Sequence, residues 1–134
     1  MKGFVKMIEI GMTYREELIV EEINTARVVG SGTVDVFATP QMIMLMEKAA
    51  YKCIANEIGK ENTSVGTVMN VKHLSATPVG MSVYAVATVT EVNGRRVVFN
   101  VEAYDSVCKI GEGTHERFVV NAEKFQQKTN SKNN

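Results

Sequence analysis

Apolar residues recur at spacings of three and four through the middle of the chain: Met42, Leu45, Met46, Ala49, Ala50, Cys53, Ile54 and Ile58. That period places them on one stripe of an α-helix, and the lack of strict alternation argues against a strand. A start is available at Thr39, whose hydroxyl can accept from the unpaired first-turn amides, and at Pro40, which as N1 loses no needed donor. Gly59 can take the left-handed conformation that stops the helix. The predicted helix has roughly 19 residues and a length of about 28 Å, near the diameter of a small domain. At about 100° per residue, Met42, Met46, Ala50, Cys53 and Ile54 form the stripe, with Lys48, Lys52 and Ala55 opposite and Glu47 at the margin beside Ile43, Ile54 and Ile58.

The rest of the pattern reads mostly as sheet. Residues Met1 to Gly11 mix apolar and charged positions as a lead-in, and an extended piece is expected from Met12 to Glu21. Gly30-Ser31-Gly32 opens a predicted short strand from Thr33 to Ala38. After the helix, alternation predicts strands at 64–75, 81–92 and 95–107, and a last one from Thr114 to Val120 beyond a break at Gly111 to Gly113. Pro78 and Gly80 mark one turn, and Val92-Asn93-Gly94-Arg95 predicts a type I′ hairpin. After Asn121 the chain turns to Lys, Gln, Asn and Ser, which predicts a frayed tail. An antiparallel sheet with one helix on its apolar face satisfies this order. One helix cannot cover so wide a sheet, so a homodimer formed through an edge strand or sheet margin is expected.

Composition narrows the class. The 134 residues suit one domain, residues 1–120, followed by the polar tail 121–134. Fifteen basic and fifteen acidic side chains cancel, which gives nucleic-acid binding little support. Two cysteines, Cys53 and Cys108, provide neither a disulfide framework nor a metal motif. No apolar run is long enough to span a membrane and no secretory h-region opens the chain, so a cytoplasmic protein is expected.

Chemistry has few candidates. A carboxylate on the margin of an apolar stripe is the usual setting of a general base, and Glu47 holds that place, with Glu57 in the last turn as a second possibility. His73 lies late in a strand, where it can point toward the helix or a partner subunit. His115 and Arg117 share one face of the last strand, and Glu116 takes the other. Met42 and Met46 can line an adaptable groove as well as fill the core. No zinc-protease, P-loop, dinucleotide-binding or G-x-S-x-G motif is present, and no metal is expected.

Phe37-Ala38-Thr39-Pro40, Glu47 in the helix, Gly66-Thr67, His73 and Arg117 together resemble the fluoroacetyl-coenzyme A thioesterase family of hot-dog proteins, over roughly Thr13 to Val120. The resemblance implies a hot-dog fold, an antiparallel β-sheet wrapped around one long central α-helix. It implies hydrolysis of a short or medium acyl-coenzyme A, with coenzyme A as part of the substrate and no separate cofactor. It places catalytic roles on Thr39, Glu47 and His73 and substrate binding on Gly66 and Arg117. Where the fluoroacetate-specific enzyme has a lid of two phenylalanines, this chain has Gly30 and Thr33. A selective fluorine pocket is therefore not expected. On the same helix Thr39 and Glu47 lie about 12 Å apart along the axis, so the site either bridges two subunits or uses Thr39 through substrate or water. The alternatives are a non-catalytic acyl-thioester or small-ligand binding protein, a hot-dog dehydratase and a purely structural dimer.

Overall fold

The computed structural model describes residues 7–134. Among the described residues five strands form one antiparallel sheet: β1 (Thr13–Ile19), β2 (Asn62–His73), β3 (Ser82–Asn93), β4 (Arg96–Asp105) and β5 (Lys109–Asn121), in the order β1-β3-β4-β5-β2. A one-turn helix, α1 (Ala26–Val29), precedes the central helix α2 (Thr39–Ile54), and α3 (Ala122–Asn130) closes the chain. The sheet wraps α2 in a hot-dog fold.

The helical stripe and the sheet bury each other. Met42, Leu45, Met46, Ala49, Ala50 and Ile54 meet a sheet face built from Val83, Ala85, Ala87, Val89, Val97, Phe99, Val101 and Ala103. Small residues on β3 let the helix approach closely, and β-branched residues on β4 suit a pleated, buried surface. Met42 and Met46 reach across to β5, where a Cβ added at Gly111 would lie 2.5 Å from Met42 Sδ and 3.1 Å from Met46 Cε. Both methionines are fully buried core residues.

Several expectations are corrected. Ala38 rather than Thr39 is the N-cap of α2, and no side chain caps that end. The helix stops at Ile54 and continues as a 3-10 turn, Ala55–Glu57, before Gly59 adopts φ +85°. No strand forms at 33–38: only isolated bridges join Thr25 to Phe37 and Val36 to Pro78. β5 runs unbroken through Gly111 and Gly113, and the turn before it lies at Ser106 to Cys108. There the Asp105 carboxylate accepts from the Val107 and Cys108 amides at 2.8 and 2.9 Å. In the β3–β4 hairpin only Gly94 has positive φ, +61°, and it stands first of the two central residues, which is the type II′ arrangement. The tail begins as a helix, with the Asn121 side chain accepting from the Lys124 amide. Of the lead-in, residues 1–6 lie outside the described residues.

β2 is a sheet edge with one irregularity. Gly66 stands opposite Arg117 and Val68 opposite Glu116, so Thr67 is an extra residue in a bulge. The alternation of β5 puts Gly111, Gly113, His115, Arg117 and Val119 on the face toward α2. A Cβ at Gly113 would overlap the Asn70 carbonyl oxygen and lie 2.6 Å from Val71 Cα, both backbone atoms that cannot rotate away. Gly113→Ala is expected to lower the unfolding free energy by about 3 kcal/mol in urea titration; an unchanged midpoint would contradict this packing.

Candidate active site

The sequence-predicted residues gather in two clusters. At the start of α2, Thr39 Oγ1 lies 2.7 Å from His73 Nδ1 at the end of β2. The hydroxyl expected to cap the helix is thus turned to an imidazole on a neighbouring element. His73 Nε2 is shielded from solvent and makes no hydrogen bond. Burial lowers the pKa of His73, opposed in part by the Ser75 backbone, so the ring is neutral at neutral pH. A cavity of about 320 Å³ adjoins this pair, lined in part by Ala26, Ser31, Val36, Ala38, Leu74 and Ala76.

The second cluster lies farther along α2. Half-buried Glu47 borders a cavity of about 210 Å³ with Gly66, Thr67, Val68, Met69 and His115. A Cβ at Gly66 would stand 3.0 Å from Glu47 Oε2, 3.2 Å from His115 Cε1 and 3.4 Å from Arg117 Nη1. The glycine therefore keeps open a point on which a carboxylate, an imidazole edge and a guanidinium converge. Arg117 is 7% exposed, and three hydrogen bonds hold it. Nε donates to Ser64 Oγ at 2.8 Å, Nη2 to the Ser64 carbonyl at 2.8 Å, and Nη1 to His115 Nε2 at 3.2 Å. The guanidinium also lies 5.8 Å from the centre of the Tyr51 ring. Burial lowers the Arg117 pKa, and Glu47 opposes that shift.

Thr39 and His73 are therefore brought together, as are Glu47, Gly66 and Arg117, but the two groups occupy different cavities of one chain. Met42 and Met46, expected to line a substrate groove, border neither cavity. Glu57 is outside both. Sequence reasoning missed the contributions of His115 and Ser64, although the shared face of His115 and Arg117 was a readable signal for the first. Cys53 is a buried thiol pushed up to about 11 by desolvation, which makes it unreactive. Among the described residues no group of three or more His, Cys, Asp or Glu side chains could hold a metal.

An antiparallel sheet wrapped on one central helix defines the hot-dog class of proteins. The chain belongs to the fluoroacetyl-CoA-specific thioesterase family, which it matches over residues 20–123. It is 43% identical to the fluoroacetyl-CoA thioesterase of Streptantibioticus cattleyicolor over 98 residues, 73% of this chain and 70% of that enzyme. A solved structure of the fluoroacetyl-CoA thioesterase FlK aligns with TM-score 0.89 at 35% identity, covering 93% of this chain and 97% of that one. A Thermus thermophilus thioesterase superfamily member aligns with TM-score 0.85 at 29% identity, covering 92% of each chain. Gly66→Ala is expected to reduce thioesterase kcat/KM by about tenfold or more while shifting stability by less than about 1 kcal/mol. Wild-type turnover in that variant would mean that the opening at Gly66 is not used.

Proposed function

We propose that the protein hydrolyses the thioester of a short or medium acyl-coenzyme A, releasing a carboxylic acid and free coenzyme A, and does so as a homodimer with two shared sites. The observation that carries this reading is the Thr39–His73 hydrogen bond of 2.7 Å at one end of β2, with the Glu47, Gly66 and Arg117 cluster at the other. β2 is an edge strand, with Val68 43% exposed, and its outer backbone groups are a template for another strand. Two copies of β2 paired antiparallel about a two-fold axis near Met69 set His73 of one protomer against Gly66 of its partner. The pairing is isologous, so both sites form at once.

In such a site the thioester carbonyl lies between the halves. Glu47 attacks it or activates a water to do so, and backbone amides around Gly66 and the Thr67 bulge stabilise the oxyanion. Where water attacks, its proton passes by way of Glu47 and His73 to the departing thiolate. Where Glu47 attacks, the thiolate leaves as an acyl-Glu47 anhydride forms, and a water then splits the anhydride to the acid and free Glu47, its proton passing through His73 to the thiolate. Thr39 fixes the His73 ring through Nδ1. Arg117 supplies positive charge beside the acyl group. The acyl group is not confined by an aromatic lid: Gly30 terminates α1 with φ +92°, and Thr33 lies in an exposed loop. The cavity of about 320 Å³ beside Thr39 and His73, lined by Phe37, Val36 and Leu74 together with smaller residues, supports a short or medium acyl chain.

Purified protein assayed against a panel of acyl-coenzyme A thioesters tests the activity, and unchanged turnover in both Glu47→Gln and His73→Ala would refute these roles. Co-refolding those two inactive variants is expected to restore about a quarter of wild-type activity, because half the dimers are mixed and each mixed dimer has one intact site. No recovery would place both groups in one protomer's site. Because burial lowers the His73 pKa, the acid limb of kcat/KM is expected to have an apparent pKa below 6.5, so activity persists as pH falls to that value and is lost only beneath it. A limb centred above 6.5 would contradict a buried, neutral His73.

A further inference from the structure

We propose that His115 is a positioning residue whose imidazole clamps the Arg117 guanidinium to the bulge of β2 and so sets Gly66 and Thr67 relative to Glu47. The inference rests on the thioesterase reading of this site. It begins from burial: His115 is 1% exposed, with its ring stacked on Phe99 of β4 at 6.1 Å between centroids. One ring nitrogen, Nδ1, lies 2.8 Å from the Val68 carbonyl, and the other, Nε2, lies 3.2 Å from Arg117 Nη1. Guanidinium nitrogens only donate, so Nε2 must present its lone pair and the proton must sit on Nδ1, donating to Val68. Both nitrogens are thereby committed, and His115 has none left to act as a base.

The pair reaches both ends of the bulge. Arg117 holds Ser64 through its hydroxyl and carbonyl, His115 holds Val68, and the two residues bond each other. Between Ser64 and Val68 lie Val65, Gly66 and the extra residue Thr67. A bulge lacks part of the ladder that fixes an ordinary strand, so side-chain bonds on either flank, together with the Thr67 hydroxyl donating to the Glu116 carbonyl at 3.2 Å, set where it stands. Charged groups about His115 are Glu47 from α2, Arg117 on its own strand and the neighbouring Glu116; Phe99 from β4 and the Val68 carbonyl from β2 bring no charge. Protonating the ring would aim an N–H at the guanidinium. Burial and Arg117 both disfavour that form.

His115→Phe keeps the ring and its stacking on Phe99 and removes both nitrogens. Its kcat/KM with acetyl-coenzyme A is expected to fall about 10- to 100-fold, while adding it to Arg117→Met costs less than about threefold more, since the clamp acts through the arginine. Losses that multiply, or a folded His115→Phe with wild-type kcat/KM, overturn the proposal. Nitrogen-15 NMR of the wild-type histidines reads the clamp without activity: His115 is expected as the Nδ1-protonated tautomer near pH 7, with its Nε2 shift moving in Arg117→Met. A proton on Nε2 overturns the clamp even if the enzyme is active. Absence of turnover with every thioester would instead refute the functional reading and leave the tautomer result standing.

Discussion

An α-helix rises 1.5 Å per residue, so the eight positions from Thr39 to Glu47 hold these side chains about 12 Å apart along the axis whatever surrounds them. The rest of the structure accommodates that spacing. β2 runs beside α2, carrying His73 to the threonine and Gly66 to the glutamate, and it does so at the edge of the sheet. The proposed site combines both halves by drawing on a second chain at the outer β2 edge, which no strand pairs among the described residues.

The side of the sheet toward Glu47 carries an unusual amount of buried polarity. Arg117, His115, Ser64 and Asn62 are all at most 9% exposed, on two adjacent strands. Removing a guanidinium from water is costly, and three directed hydrogen bonds with a nearby carboxylate offset part of that cost. Near Thr39 the compromise is different. The hydroxyl that would cap α2 bonds His73, and the helix begins without a side-chain cap, a loss of about 1 kcal/mol relative to a capped end. In both places local stability yields to the placement of a polar group.

Much of the fold was legible because its signals are local or periodic. The stripe from Met42 to Ile54 and the strand alternation specify a helix on a sheet, and the resemblance carried by Thr39, Glu47, Gly66, His73 and Arg117 led to the right family. Features set by tertiary contacts were not legible. Val34 and Val36 alternate like a strand, yet no neighbour pairs along that segment beyond single bridges. Gly111 and Gly113 look like a break, but they are the places where Met42 and the Asn70–Val71 backbone press against β5. Asn121 caps a helix in a tail whose composition predicts fraying. For the methionines the sequence favours core over groove while leaving a groove open, and their burial against Gly111 places Met42 and Met46 in the core. His115 was legible only as sharing a face with Arg117, because its contact with the guanidinium depends on both being buried side by side.

The proposed site requires two half-sites to meet across the β2 edge. A crystal structure of the protein with a non-hydrolysable acyl-coenzyme A analogue tests it most directly. The account predicts a two-fold dimer paired through β2, with the analogue's carbonyl between His73 of one protomer and Glu47 of its partner and those groups within about 10 Å of each other. A dimer joined elsewhere, or an analogue held by Glu47 with no His73 within that distance, would contradict it.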